Sequence, residues 1–370
     1  MRRAAVATLV VAAVVASYLL GWRASAHRSP LDEAAASILQ RSAKPLDASL
    51  LERAAVEGML RASGDRWSSY YNAKQFSFYS EALAGRFTGV GIWLRAAAAG
   101  GAEVASVQPG SPAAASGVHG GDAIVGVGSA DLSNASVPTV AAALRGTPGS
   151  TLTLRVVRSG AERVFTMLRN QVESTDVSSS RFKDGVLLIR ITAFTAGVGD
   201  QVAKALRDSP HRGGVILDLR DNPGGLVEEA VAVAGIFLDG GVVVSYERRG
   251  EDTRVLEAPP GRDENDPLVV LVNKQSASAA EVVAGALQDR NRAVIVGSRT
   301  YGKGSVQESQ TLHDGASILL TVGRYRTPTG RYLEGVGVSP DVLASDGEAL
   351  AEGLAILKSL LRVSGGGGKR

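Results

Sequence analysis

Residues 268–296 set the tightest constraint on what this chain folds into. Five apolar residues, Leu268-Val-Val-Leu-Val272, run without a polar break, as in a parallel strand buried on both faces. Asn273-Lys-Gln-Ser-Ala-Ser-Ala-Ala-Glu281 then reads as a turn, and Val282-Val-Ala-Gly-Ala-Leu-Gln-Asp-Arg290 as a helix with apolar spacing. A second β-branched run, Val294-Ile295-Val296, follows at once. Strand, helix and strand in so short a span predict a parallel α/β core with its site at the strand ends. The alternation extends from Asp176 to about Asp341, with strands at Val186–Ile189, Val215–Leu219, Leu268–Val272, Val294–Val296 and Ser317–Val322.

The order of elements puts Ser278 at a helix N-terminus. Beyond the next strand comes Gly297-Ser-Arg-Thr-Tyr-Gly-Lys303-Gly-Ser-Val-Gln307, a lysine between glycines with a glutamine four residues on. A hydroxyl and an amine with no histidine near either suggest a serine/lysine dyad. A lysine serves as base only when neutral, so burial must bring its pKa down from about 10.4. The local stretch before Glu308 is poor in carboxylates, and Gly302 and Gly304 leave room for a dry pocket. The Gln307 amide oxygen is expected to accept from the amine and orient it. Attack on an amide creates an oxyanion, which the helix N-terminus would stabilise, with the Ala279 N–H as one donor. Residues 213–226, a strand running into Asn222-Pro-Gly-Gly225 ahead of an apolar helix at Val227–Leu238, offer Gly224 or Gly225 as the second.

Plainer readings compete. Ser278 with Glu281 three residues on has the form of a capping box. Gly297 to Lys303 fits most of a phosphate-binding loop, but Gly304 stands where Ser or Thr would hold magnesium, and no packed helix follows. Asn222-Pro-Gly-Gly225 taken alone is a turn.

These segments in order resemble the carboxyl-terminal processing peptidases, also called tail-specific proteases, a serine/lysine family with a PDZ domain ahead of the catalytic core. The resemblance rests on Gly58-Met59-Leu60 to Asp65-Arg-Trp-Ser-Ser-Tyr70-Tyr71, Phe87-Thr-Gly-Val-Gly-Ile92, Asp218-Leu-Arg-Asp-Asn-Pro-Gly-Gly225, Ser276-Ala-Ser-Ala279, Thr300-Tyr-Gly-Lys-Gly304 with Gln307, and Thr327-Pro-Thr-Gly330 leading to Pro340-Asp341. It implies Ser278 as nucleophile, Lys303 as general base and Gln307 as its orienter, with Ala279 and Gly224 or Gly225 as the oxyanion hole. One departure is Ala280, where the family often has serine. The implied architecture is a mixed α/β and β multidomain chain: a helical segment over 30–84, a PDZ domain over 85–170, a crotonase-like α/β peptidase core over 171–345, and a C-terminal helix and tail over 346–370. In the family the helical segment packs beside the core and can take part in dimerisation.

Within the PDZ-like region, strand-like runs at Gly89–Leu94, Ala102–Val107, Gly121–Val125 and Thr151–Val157 are separated by Gly, Pro and Ser turns. Gly89, Val90, Gly91 and Ile92 would present N–H groups to a peptide's terminal carboxylate, while the next strand pairs with the peptide. Val137–Leu144 is expected to be a helix lining a pocket for small or apolar terminal residues.

Removing the four cations at the chain ends, Arg2, Arg3, Lys369 and Arg370, from the formal charge of +3 leaves a body of −1, so no basic face for nucleic acid is implied. No cysteine is present, and His27, His119, His211 and His313 are scattered, so neither a metal nor a cofactor is expected. Ala4–Trp22 is uncharged, largely apolar and preceded by Arg2-Arg3, long enough for a single membrane span that places the catalytic body outside the cytoplasm. Ala24-Ser25-Ala26 also fits a signal-peptide cleavage site, and the secreted form is the alternative. The functional expectation is an extracytoplasmic serine endopeptidase that recognises protein C-termini; the alternative is a PDZ adaptor without catalysis.

Overall fold

The apolar runs pair side by side in the computed structural model, which describes residues 29–173, 176–260 and 266–366. One sheet of six strands has the order Val177–Arg181, Leu187–Ile191, Val215–Asp218, Leu268–Val272, Val294–Gly297, Val342–Leu343. Its first pair is antiparallel and every later pair is parallel. The Leu268–Val272 strand shows why its sequence has no polar break. Leu268, Val270 and Val272 face the core cluster that includes residues of helices Val198–Asp208, Val227–Phe237 and Ala279–Asp289, while Val269 and Leu271 face the closing helix Ala349–Gly366. With period-two side chains and a helix layer on each side, every position is apolar.

A second, antiparallel sheet was only partly visible in the sequence. Ser317–Arg326 belongs to it rather than to the parallel sheet, pairing with Ser69–Tyr71, Val242–Arg248 and Ser305–Thr311. Ser305-Val-Gln-Glu-Ser-Gln-Thr311 is polar because its far half is exposed. Ser69–Tyr71 interrupts the expected helical run, and Trp67, Tyr70 and Tyr71 are buried. After it comes the helix Ala73–Leu83, capped by Asn72, whose side chain accepts from the Gln75 N–H while that of Gln75 accepts from the Asn72 N–H. Residues 29–63 form a separate compact unit of two helices, Pro30–Arg41 and Ala48–Ala62, neither with a buried residue. The expected membrane span or signal peptide at Ala4–Trp22 and Ala24–Ala26 lies outside the described residues. Among those, no helix is long and apolar enough to cross a membrane.

Between the helix Ala73–Leu83 and the parallel sheet stands a β module. Arg86–Gly89 and Asn170–Glu173 pair antiparallel, so the chain enters and leaves side by side. The module's sheet runs Ile92–Ala96, Ala102–Val107, Ala123–Val127, Thr151–Arg158, Ala161–Leu168, with helices at Pro112–Ser116 and Val137–Leu144. The run read as one strand at Gly89–Leu94 is broken at Val90-Gly91. Gly91 has φ 79°, and a Cβ there would meet the Ser111 Cβ at 2.2 Å, so only glycine fits. Asp122, almost fully buried, accepts from Arg158 Nε and Nη2 at 2.5 and 2.6 Å and from the His119 N–H at 3.0 Å. Removing the cation strands that buried carboxylate. Arg158→Ala is expected to destabilise the module by about 3 kcal/mol, read as a lower denaturant midpoint; an unchanged midpoint would show that water replaces the arginine.

Candidate active site

Two turns carry the sequence-predicted chemistry. Ser278 precedes the first helical residue, Ala279, with φ 55° and ψ −115°. That conformation costs a side-chain-bearing residue on the order of 1–3 kcal/mol, and the neighbouring turns hold it in place. The Ala277 N–H donates to the Asn222 carbonyl at 2.9 Å, and the Ser276 hydroxyl donates to the Leu219 carbonyl at 2.7 Å. Asn273 Oδ1 accepts from the N–H groups of Asp221 and Gln275 at 3.0 and 3.1 Å. The Ser276–Ala279 turn is thereby tied to the Asp218–Gly225 turn.

Glu281 joins the first turn to the second. It is fully buried; Oε2 accepts from the N–H groups of Ser278 and Lys303 at 2.9 and 2.8 Å, and Oε1 from the Gly302 N–H and the Thr300 hydroxyl at 2.7 and 2.5 Å. Burial raises its pKa above the usual carboxylate range, against the opposing pull of the four donors. The capping-box reading anticipated the contact with the Ser278 N–H. The three contacts with the lysine turn carried no sequence signal, because they depend on how the next strand returns.

Lys303 Nζ donates to Gln307 Oε1 at 2.9 Å and lies 4.9 Å from the centre of the Trp67 ring. Gln307 Nε2 donates in turn to the Trp67 carbonyl at 2.6 Å. A bulge at Val306/Gln307 re-aims the glutamine within its strand. Desolvation lowers the Lys303 pKa to about 8, against the opposing pull of Glu334, Asp65 and Glu281. Tertiary folding therefore supplies carboxylates that the local sequence lacks, and burial outweighs them. The space left by Gly302 and Gly304 is filled by backbone: a Cβ on Gly304 would lie 2.2 Å from the Glu334 nitrogen, and one on Gly302 3.3 Å from the Gly337 nitrogen. No hydrogen bond joins Lys303 Nζ to Ser278 Oγ among the described residues; the two meet through their backbones at Glu281.

Of the two glycines proposed as oxyanion donors, Gly224 already donates its N–H to Asn222 Oδ1 at 2.8 Å. Among the described residues the N–H groups of Gly225 and Ala279 have no acceptor. A Cβ on Gly224 would lie 2.8 Å from the Ser278 Cβ, and one on Gly225 2.2 Å from the Phe194 carbonyl oxygen, so this close approach requires both glycines.

A cavity of about 210 Å³ runs from Gly89, Val90, Gly91 and Ile92 to Lys303 and Gln307; Ser278 does not line it. The N–H groups of Val90 and Gly91 donate to no backbone carbonyl among the described residues, while the carbonyls of both are held by Ala113 and Gln108.

Residues 185–344 match the model of peptidase family S41, and residues 85–157 match that of the PDZ domain. The chain contains a peptidase family S41 domain and a PDZ domain. It is 34% identical over 306 residues to a probable CtpA-like serine protease of Staphylococcus aureus (strain COL), covering 81% of this chain and 61% of that protein. Over 296 residues it is 31% identical to the carboxy-terminal processing protease CtpA of Bacillus subtilis (strain 168), covering 78% of this chain and 63% of the relative. The chain thus spans less than two thirds of the length of either. The solved photosystem II D1 C-terminal processing protease superposes with a TM-score of 0.71 at 28% identity, over 85% of this chain and 92% of that one. The fold alone is shared with a putative S41 protease from Bacteroides fragilis NCTC 9343, at a TM-score of 0.51, 16% identity and coverage of 93% and 99%.

If Glu281 holds both turns in register, Glu281→Gln turns one acceptor oxygen into a donor that faces at least one N–H group. Cleavage kcat/KM is expected to fall about 10²-fold. Loss of a negative charge beside Lys303 should also move the rising limb of the pH profile to lower pH. Steady-state kinetics from pH 6 to 10 would read both; kcat/KM within twofold of wild type would contradict the role.

Proposed function

We propose that this chain is a serine endopeptidase that recognises the C-terminal end of a protein through its PDZ domain and cleaves it with Ser278 and Lys303. The observation that carries the reading is the single buried carboxylate of Glu281 bound to the N–H groups of both residues. In the proposed reaction the neutral Lys303 amine takes the Ser278 hydroxyl proton as Oγ attacks the scissile carbonyl. Charge that develops on the carbonyl oxygen falls to the N–H groups of Ala279 and Gly225. The ammonium then protonates the leaving amine, giving an acyl-enzyme ester, and the amine, neutral again, deprotonates the water that releases the acid. Gln307 accepts from the lysine throughout and fixes its direction. The Lys303–Ser278 gap must shorten in the substrate complex, as catalytic hydrogen bonds commonly do.

The PDZ carboxylate loop would be Gly89–Ile92, which lines the cavity that ends at Lys303 and whose Val90 and Gly91 N–H groups donate to no backbone carbonyl among the described residues. Peptide docking there has a direct route to the base, a population shift if the peptide prefers the closed dyad. A peptide that binds the module yet leaves turnover of a separate reporter unchanged would count against this coupling. Arg2-Arg3 and the apolar stretch Ala4–Trp22 support export or anchoring, with action on extracytoplasmic proteins.

Casein digestion tests the chemistry: Ser278→Ala and Lys303→Ala should each lower the rate by at least about 10³-fold with folding retained. Because lysine acts as a base only when neutral, the wild-type rate should rise with pH to a plateau above about 8 and fall tenfold per unit below it. A rate independent of pH between 6 and 9, or full activity in Lys303→Ala, would refute the assignment. No cleavage by the wild type and no labelling by a serine-directed probe would favour the adaptor.

A further inference from the structure

The cavity that begins at the PDZ carboxylate loop has a wall that does not belong to the PDZ domain. On the module's side lie the strand Ile92–Ala96, which among the described residues pairs with Ala102–Val107 alone, and the helix Val137–Leu144, which contributes Val137, Pro138, Ala141, Ala142 and Leu144. The body helix Ala73–Leu83 adds Gln75, Phe78, Tyr79 and Ala82 to the lining, and Tyr71 joins them; the rings of Tyr71 and Tyr79 lie 5.2 Å apart. Arg145, next after the PDZ helix, fastens the two helices together. Its Nη2 donates to the Phe78 carbonyl at 2.5 Å, its guanidinium carbon lies 4.5 Å from the Phe78 ring centre, and Nη1 is 3.7 Å from Glu81 Oε2. Every charged side chain lining the cavity, Arg95, Arg145 and Lys303, is cationic.

We infer that the pocket for the substrate's last side chain is composite, with Phe78 and Tyr79 of the body helix closing the trough formed by the PDZ strand and helix, so that preference for a large over a small final apolar residue depends on the body helix. The inference rests on the PDZ reading above and deepens it. With alanine at 141 and 142, the middle of the helix side offers a terminal side chain little apolar area. An aromatic wall removes the outer face of that side chain from water, and burying a phenylalanine or leucine in this way raises affinity by about tenfold or more over alanine. No Asp or Glu is among the residues described as lining the cavity, so a basic final residue finds no charged partner there. Specificity is thereby set in part by residues outside the recognition domain, so transplanting the PDZ domain alone would not transplant the preference.

The test is fluorescence anisotropy with the full chain carrying Ser278→Ala, so that peptides are not consumed. Labelled decapeptides ending in Phe, Leu, Ala or Lys would be compared as free acids and as amides. The free acids ending in Phe and Leu should bind at least about tenfold tighter than that ending in Ala, with Lys weakest and amides weaker throughout. Adding Phe78→Ala should cut the Phe-over-Ala preference below about threefold while keeping the preference for free acids. Ala82→Trp fills the same space without removing a packed side chain and should abolish the preference too. If free acids are preferred but both variants keep the wild-type Phe-over-Ala ratio, the PDZ domain alone sets specificity and the composite pocket is wrong. If acids and amides bind alike, the C-terminal reading fails and takes this inference with it.

Discussion

A buried carboxylate cannot stand without compensation, and the geometry around Ser278 and Lys303 follows from how Glu281 is compensated. Four donors converge on it: three N–H groups and one hydroxyl, from two segments of chain joined through a strand. Satisfying the carboxylate fixes where the helix begins and where the lysine turn lies against it. Thr300 extends the tie, since its hydroxyl oxygen also accepts from the Val338 N–H at 2.7 Å. Glu334 repeats the device on a smaller scale, taking the Gly304 N–H at 2.8 Å and the Trp67 indole N–H at 3.2 Å. The lysine turn is thus pinned by a carboxylate on each side, while its amine is left to Gln307 and the Trp67 ring.

That arrangement resolves an apparent conflict in the electrostatics. Carboxylates near a lysine favour its charged form, which is the wrong form for a base. Here the carboxylates are engaged by backbone N–H groups, the Thr300 hydroxyl and the Trp67 indole, and the amine sits against an aromatic face and a neutral amide, so desolvation wins and the pKa comes down to about 8. The positive φ of Ser278 belongs to the same design: the strain is borne at the residue whose side chain must leave the helix line, and the Asn273, Ser276 and Asn222 hydrogen bonds hold it.

Much of this was legible in the chain. The uninterrupted Leu268–Val272 strand, the helix start at Ser278 and the contact of Lys303 with Gln307 are local features, and local pattern reported them. What failed to show was whatever depends on a distant return of the chain. Glu281 looked like half of a cap because its other ligands are about twenty residues away in sequence. Trp67 lies far from Lys303 along the chain, and nothing in Asp65–Tyr71 announces an aromatic face beneath an amine. Gly224 and Gly225 were indistinguishable as donors until the Asn222 side chain was seen to occupy the first. The second sheet hid in polar, half-exposed strands such as Ser305–Thr311, whose alternation is weak. The outer wall of the PDZ cavity, from Ala73–Leu83, is likewise a product of packing between segments that sequence pattern treats separately.

The central claim is that Ser278 is a nucleophile activated by Lys303, and covalent labelling tests it most directly. A fluorophosphonate would be incubated with the folded protein at pH 9, and the adduct mapped by peptide mass spectrometry in wild type and in Lys303→Ala. The account predicts one adduct, on Ser278, formed at least about 10²-fold more slowly in the variant. An adduct on another residue, or equal labelling rates with and without the lysine, would contradict it.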